Sequence, residues 1–166
     1  MKQRVWILML AFLLSSGFVS CGQSGDKAEA GGEEAASVPG IVKESADFKI
    51  LVPEGWEFQD FGNGTVQTYN KSGTFLVQLQ KAGMNMTEKD VESSLESLRK
   101  QYNGTPMKKV DMLGLSFYTT TFVAAGRSQT FYNALKDGKK ISIGLSGPDH
   151  EKDPTIQAVF KSVALK

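Results

Sequence analysis

The sequence predicts an α+β fold, in which an antiparallel β-sheet is flanked by helices. The main signal in residues 41–166 is the alternation of apolar and polar side chains, which is typical of half-buried strands. The strand candidates are joined by short Gly-containing turns that are typical of hairpins, and only two segments have a helical period. Their order is several strands, a helix, four strands and a helix, without the βαβ alternation of a parallel sheet.

The strands are predicted from alternation and from their content of Val, Ile, Thr, Phe and Tyr. Residues 140–145 give the clearest case, with Ile141, Ile143 and Leu145 on one face. Phe48, Ile50 and Val52 share a face of the first predicted strand, which stops at Pro53-Glu54-Gly55. The other predicted strands are 56–60, 65–69, 75–80, 108–112, 116–123 and 129–135.

The two helices are predicted from capping residues followed by an apolar stripe. Thr87 is a suitable N-cap, and the acidic first turn that follows it favours a helix ending at Asn103-Gly104. Asp153 followed by Pro154 predicts the start of the second helix. Their apolar stripes, which we expect to cover the sheet, are Val91, Leu95, Leu98 and Tyr102 in the first and Ile156, Val159, Phe160 and Val163 in the second.

The amino terminus has the composition of a secretory signal. Lys2 and Arg4 precede ten uninterrupted apolar residues, 5–14, and the small residues 15–17 follow. The apolar run is shorter than the roughly 20 residues of a membrane-spanning helix. An uncleaved anchor helix is the alternative to a cleaved leader. Cys21, the single cysteine of the chain, comes directly after this stretch.

Residues Phe18-Val19-Ser20-Cys21 resemble the lipobox of bacterial lipoproteins, with Phe18 in place of the usual leucine. The resemblance implies a signal peptide over 1–20, cleavage between Ser20 and Cys21, and acyl chains such as palmitate on Cys21. Two or three such chains anchor a protein stably, because each buried methylene contributes about 0.8 kcal/mol. Gly22 stands where inner-membrane retention signals have Asp, so we expect the outer membrane in a two-membrane cell.

Residues 22–40 hold no aromatic side chain and one branched apolar residue, Val38, which indicates a flexible segment. We therefore expect a lipidated cysteine and tether over 21–45 and a globular domain over 46–166. Without residues 1–20 the chain carries 17 basic and 18 acidic residues. That balance argues against nucleic-acid binding and leaves the lipid anchor as the expected membrane contact.

The segment "FKILVPEGWEF" (48–58) resembles the opening of PsbP-like and Mog-type domains, which is a strand, a Pro–Gly break, a tryptophan and another strand. "VDMLGLSFYTTTF" (110–122), "FYNALKDGKKISIGLSG" (131–147) and "IQAVFKSVALK" (156–166) resemble the later parts of the same layout, and small lipoproteins of DcrB type look similar. The resemblance implies an α/β/α sandwich that serves binding and assembly, with no shared catalytic residues and no cofactor.

Two polar clusters could support chemistry. The only histidine, His150, lies between Asp149 and Glu151, which makes the three residues weak candidates for a metal site. The alternative is a polar loop that leads into a helix, since the spacing of a calcium loop is missing. Ser146 lies in Gly-Leu-Ser-Gly-Pro, which departs from the G-x-S-x-G of a nucleophile elbow at its last position. A hydrolase or metal-dependent enzyme is the least favoured function.

Aromatic side chains form the remaining candidate site. Trp56, Phe58, Tyr118 and Tyr132 are either core residues covered on both sides of the sheet or an exposed surface for a partner. We expect a membrane-anchored, non-enzymatic binding or assembly module of the cell envelope, with its domain facing the periplasm or the exterior and an envelope protein as partner. The alternative is a carrier or sensor of a small apolar ligand or lipid.

Overall fold

The structure, a computed structural model, describes residues 38–166. The predicted leader, the Ser20–Cys21 cleavage site, the lipidation site Cys21 and the tether as far as residue 37 lie outside the described residues. Ten strands and two helices form within 38–166: β1 (Gly40–Glu44), β2 (Phe48–Pro53), β3 (Trp56–Asp60), β4 (Thr65–Asn70), β5 (Leu76–Ala82), α1 (Glu88–Gln101), β6 (Lys108–Met112), β7 (Leu115–Ala124), β8 (Arg127–Lys136), β9 (Lys139–Ser146), α2 (Pro154–Lys161) and β10 (Ala164–Leu165).

Seven strands form one antiparallel sheet in the order β3-β4-β5-β9-β8-β7-β6. Ile143 of the central strand β9 faces Leu79 of β5 on one side and Tyr132 of β8 on the other. Successive side chains of β7 point to opposite faces, so Phe117 and Tyr118 enter different apolar clusters. Both faces of the sheet are therefore covered.

Helix α1 covers one face, against β7 and β8. Thr87 and Asp90 form a capping box at its start, in which the Thr87 hydroxyl accepts from the Asp90 N–H and the Asp90 carboxylate accepts from the Thr87 N–H. Val91 and Leu95 are fully buried beneath the helix and pack with Tyr118. The stripe predicted from the sequence is the face that contacts the sheet.

The opposite face carries α2 and a second, three-stranded sheet of order β1-β2-β10. Phe48 and Ile50 of β2, Phe117 of β7 and Ile156 of α2 meet in the larger core cluster. The layers are thus α1, the seven-stranded sheet, and α2 with the small sheet. The predicted α+β class is confirmed, whereas the predicted single sheet is two sheets, because the chain changes sheet between β2 and β3. Neither helix within 38–166 has the length and apolar character that crossing a bilayer requires.

Strand β1 lies inside the segment 21–45 that the sequence analysis assigned to the tether. Its five residues are all exposed, yet each is paired with β2, from Gly40 opposite Pro53 to Glu44 opposite Lys49. Pairing through the backbone needs no buried side chain, which explains why apolar content did not predict this strand. Residues 40–45 therefore belong to the folded part of the chain, and the boundary at residue 46 is corrected.

Candidate binding groove

A groove lies where the chain leaves the three-stranded sheet and enters the seven-stranded sheet. The turn after β2 makes this change of sheet possible, because Gly55 takes a φ of 79° that other residues adopt at a cost. Trp56 follows at once as the first residue of β3. The groove has a volume of about 380 Å³, and its lining is mostly apolar: Pro39, Gly40, Ile41, Val52, Pro53, Glu54, Gly55 and Trp56.

The walls of the groove are held by backbone pairing and by the core. Ile41 stands opposite Val52 in the β1–β2 register, and the Glu54 N–H donates to the Pro39 carbonyl at 2.9 Å. Trp56 is half-buried and packs against the larger core cluster. Gly40 lies so close to β2 that a Cβ there would overlap the Val52 carbonyl oxygen. The groove is therefore built by fixed elements of the fold.

The first two residues of β1, Gly40 and Ile41, line this groove, and the rest of the strand continues beyond it. Residues that exchange hydrogen bonds with the neighbouring strand alternate with residues whose N–H and C=O point away. The bonds Ser45 N–H to Phe48 O (2.8 Å) and Glu54 N–H to Pro39 O (2.9 Å) fix this alternation. Ile41 and Lys43 consequently bond to β2. Three residues direct their backbone groups to the outer edge, which pairs with no other described strand: Gly40, Val42 and Glu44.

Charged side chains stand at both ends of β1. Glu44 forms ion pairs with Lys49 at 2.8 Å and Lys166 at 3.3 Å, and the hydrogen bonds from these lysines lower the pKa of Glu44. Lys43 and Glu54 form no ion pair within residues 38–166, and both are exposed. Among the described residues, the groove lining thus includes the Glu54 carboxylate without an ion pair, and the Lys43 ammonium group lies beyond the lining, farther along β1.

The four aromatic residues predicted as a binding surface do not form one. Trp56 lines the groove, and Phe58 is half-buried against the larger core cluster. Tyr118 is 7% exposed beneath α1, where its hydroxyl donates to Glu88 Oε1 at 2.9 Å. It is therefore a core residue and not part of an exposed binding surface. Helix α1 covers this face of β7, and alternation alone does not reveal that cover.

Tyr132 lies on the face of the sheet opposite to Tyr118. Three strands separate its strand β8 from β3, which carries Trp56. Its ring packs against Phe160 of α2 with centroids 4.9 Å apart, and burial raises the pKa of its hydroxyl. It also lines a polar cleft of about 140 Å³ together with Lys108 and Glu151. Of the four predicted residues, Trp56 alone lines the groove described above.

His150 is 1% exposed and is held by hydrogen bonds on both ring nitrogens. Nδ1 lies 2.9 Å from the Gly147 carbonyl oxygen, which can only accept, so Nδ1 carries a proton. Nε2 lies 2.8 Å from Thr130 Oγ1. Both positions at which a metal would bind are therefore taken by protein atoms. Across residues 38–166, no three His, Cys, Asp or Glu side chains are grouped to hold a metal ion.

Asp149 and Glu151, the other two weak metal candidates, have separate roles. Asp149 is exposed and takes a φ of 47° in the turn after β9. Glu151 Oε1 accepts from the hydroxyls of Thr121 at 2.8 Å and Thr130 at 2.9 Å, and these two bonds lower the pKa of Glu151. The cluster is a hydrogen-bonded network that fixes the loop between β9 and α2 against the sheet.

Ser146, the candidate nucleophile, lies in the antiparallel strand β9 between Leu76 and Gln129. A nucleophile elbow instead needs a sharp turn between a strand and a helix. The His150 ring bonds to Thr130 and Gly147, so it is not available to activate Ser146. Ser146 and His150 therefore do not form the serine–histidine pair of a serine hydrolase.

Comparison with solved structures identifies the fold. The solution structure of cyanobacterial PsbP (CyanoP) from Synechocystis sp. PCC 6803 is similar with a TM-score of 0.52 and 16% identity, covering 84% of this chain and 98% of that chain. A crystal structure from Bacteroides thetaiotaomicron VPI-5482 is similar with a TM-score of 0.51 and 13% identity, covering 78% of this chain and 49% of that chain. This chain therefore spans about half of the second protein.

At these identities the likeness concerns the fold alone. No family model and no curated protein matches the sequence. The chain has a PsbP-like α+β fold, as the segments quoted from 48–58 onward predicted.

The residues that surround Trp56, above all β1 and Glu54, were not predicted to form a site. A signal for β1 was present, because Ile41 and Val42 are adjacent β-branched residues after a long polar segment. The pairing of Ile41 with Val52, which makes the wall, has no local signal.

Proposed function

We propose that the protein is a lipid-anchored, non-enzymatic binding or assembly module of the cell envelope. The observation that carries the anchoring is the single cysteine at the end of the leader, within Phe18-Val19-Ser20-Cys21. The binding function is supported by the apolar groove beside Trp56. Ligand sites are usually concave and mostly apolar with a few polar groups, and this groove has that composition.

The anchor is tested by replacing Cys21 with Ser in the full chain. We expect Cys21→Ser to keep its leader and to lose the acyl chains, which shows on mass spectrometry as the mass of the full chain without acyl groups. A matched leader variant, Ser15→Ala, should be processed and acylated as the wild type is. An acylated and normally processed Cys21→Ser protein would contradict the proposal.

The groove is tested by crosslinking in intact cells followed by pull-down of the full chain. Ile41 is 58% exposed and lines the groove, so Ile41→Asp should abolish capture of the partner without disturbing the core. Val123 is 61% exposed on β7 and provides the control, since Val123→Asp should leave capture unchanged. No protein above background with the wild-type chain, or equal capture by both variants, would overturn the proposal.

The same groove supports a second candidate, which is a carrier or sensor of a small apolar ligand or lipid. Its volume of about 380 Å³ lies in the range of roughly 300–1,000 Å³ that small-molecule sites occupy. Native mass spectrometry of the protein released gently from its membrane should then show a bound mass. A mass equal to that of the acylated protein alone would reject this candidate.

A further inference from the structure

We infer that the outer edge of β1 binds an extended polypeptide segment of a partner protein, which joins the three-stranded sheet as an additional strand. This inference rests on the proposed binding function and names its mode. The partner segment would have an apolar side chain for the Trp56 groove, an acidic residue near Lys43 and a basic residue near Glu54.

The backbone of β1 supplies the first argument. Gly40, Val42 and Glu44 each direct one N–H and one C=O away from β2, because the neighbouring residues take part in the bonds to β2. Within the described residues β2 is the only strand that pairs with β1. Such a row of donors and acceptors matches an extended polypeptide, and proteins usually protect it by prolines, bulges or a covering loop.

The side chains supply the second argument. Ile41 and Val42 are 58% and 61% exposed on opposite faces of the same edge. Ile41 stands over Val52 at the groove, so a side chain of an added strand on that face would reach the apolar lining beside Trp56. Main-chain bonds would give the affinity, and the groove would select the side chain.

The charges near β1 indicate the chemistry of the occupant. Lys43 and Glu54 are exposed without an ion pair among residues 38–166, and the register places Glu54 beside Pro39, four positions from Lys43 along β1. That separation is about 13 Å at 3.3 Å per residue. A segment with opposite charges about four residues apart complements both ends.

A second copy of this chain fits the edge less well. Symmetric antiparallel pairing of two β1 strands about Val42 sets Lys43 opposite Ile41 and Glu44 opposite Gly40, which pairs no charges. Five residues also bury far less than the roughly 1,200 Å² of a stable interface. A partner segment with its own anchoring contacts is therefore the occupant we assign.

The test uses a photo-crosslinking residue at position 41 of the full, membrane-bound chain, in two backgrounds. Val42→Pro removes an outward N–H without removing any bond to β2, since proline is tolerated at such edge positions. Val42→Thr keeps that N–H and is the matched control. We expect an adduct with Val42→Thr, mapped to one segment with the predicted charges, and at least about a tenfold loss with Val42→Pro. A crosslinker at Val123 should give no such adduct.

Hydrogen exchange at the Ile41 and Lys43 amides shows whether β1 stays paired with β2 in Val42→Pro. If β1 unpairs in Val42→Pro, binding of a synthetic peptide with the captured sequence to the wild-type chain is measured instead. N-methylation of alternate peptide amides removes their N–H donors and should abolish this binding. Equal adducts in both backgrounds with β1 paired, binding of the methylated peptide, or an adduct of twice the chain mass would overturn the inference. In these cases a partner whose capture depends on Ile41 still supports the proposed binding function. The absence of any adduct from all groove positions would contradict both the proposed function and the strand-addition inference.

Discussion

Replacing Thr130 with Val tests whether the network around His150 stabilises the fold. Thr130 Oγ1 lies 2.8 Å from His150 Nε2, 2.8 Å from Thr121 Oγ1 and 2.9 Å from Glu151 Oε1. Valine has nearly the same shape but no hydroxyl, so the change leaves Nε2 of a ring that is 1% exposed without a partner. A buried polar group that loses its partner costs about 1–3 kcal/mol.

Thr121→Val is the matched control, because Thr121 is only half-buried and the Glu151 carboxylate that loses its bond is exposed to water. Its cost should stay below about 0.5 kcal/mol. With an m-value of about 2 kcal/mol per M, Thr130→Val should lower the urea midpoint by about 0.5–1.5 M, measured by circular dichroism. Equal shifts for the two variants, or no shift for Thr130→Val, would refute the role assigned to this network.

Three further changes test Glu151 of the same network, the packing of α1 and the pairing of β1. Hydrogen bonds from Thr121 and Thr130 lower the pKa of Glu151 below the ordinary 4.5, so the stability that its carboxylate contributes is complete above pH 4.5 and is lost as pH falls through the lower folded pKa. In urea titrations, the difference in unfolding free energy between wild type and Glu151→Gln should therefore be constant above about pH 5.5 and should become smaller below about pH 4. A difference that grows in acid would contradict this role. Leu95→Ala should lower the free energy of unfolding in urea by about 2–5 kcal/mol, because Leu95 is fully buried between α1 and the sheet. Ser97→Ala on the exposed side of α1 should lower it little. Similar losses for the two variants would contradict the packing assigned to α1. Gly40→Ala should raise amide exchange in residues 40–44 at least about tenfold and leave α1 unchanged, since the added methyl would overlap β2; unchanged exchange in β1 would contradict this.

The sequence predicts most of the fold because alternation reports which residues are covered. Ile141, Ile143 and Leu145 are all buried, as their spacing predicts, and α1 begins after the N-cap Thr87. Ser142 and Ser146 are buried too, so β9 is covered on both faces and not half-buried as predicted. Each of these signals is local, since it depends on residues within one strand or one helical turn. The only local signal for β1 was its β-branched pair Ile41 and Val42, because all of its side chains are exposed and no alternation of burial marks it.

The sites were harder to predict, because they join residues that are distant in sequence. The ring of His150 is held by Thr130, 20 residues earlier, and the wall beside Trp56 depends on Ile41 opposite Val52. Alternation placed Tyr118 on a face of β7, but it could not show that α1 covers that face. Residue type and spacing therefore identified candidates, and the packing of separate elements decided which of them are accessible.

The position of the groove follows from the connectivity of the two sheets. Consecutive strands β2 and β3 belong to different sheets, so the backbone pairing must stop at Pro53-Glu54-Gly55 and the two sheets separate there. Trp56 fills part of the gap from the side of the core, and Gly40 and Ile41 border it at the start of β1, whose outer edge pairs with no strand among residues 38–166. A larger residue at position 40 cannot fill the gap further, because its Cβ would overlap the Val52 carbonyl oxygen. An apolar cleft beside an open strand edge is thus built into this change of sheet, which is why a partner that adds a strand fits here better than one that packs on the covered faces.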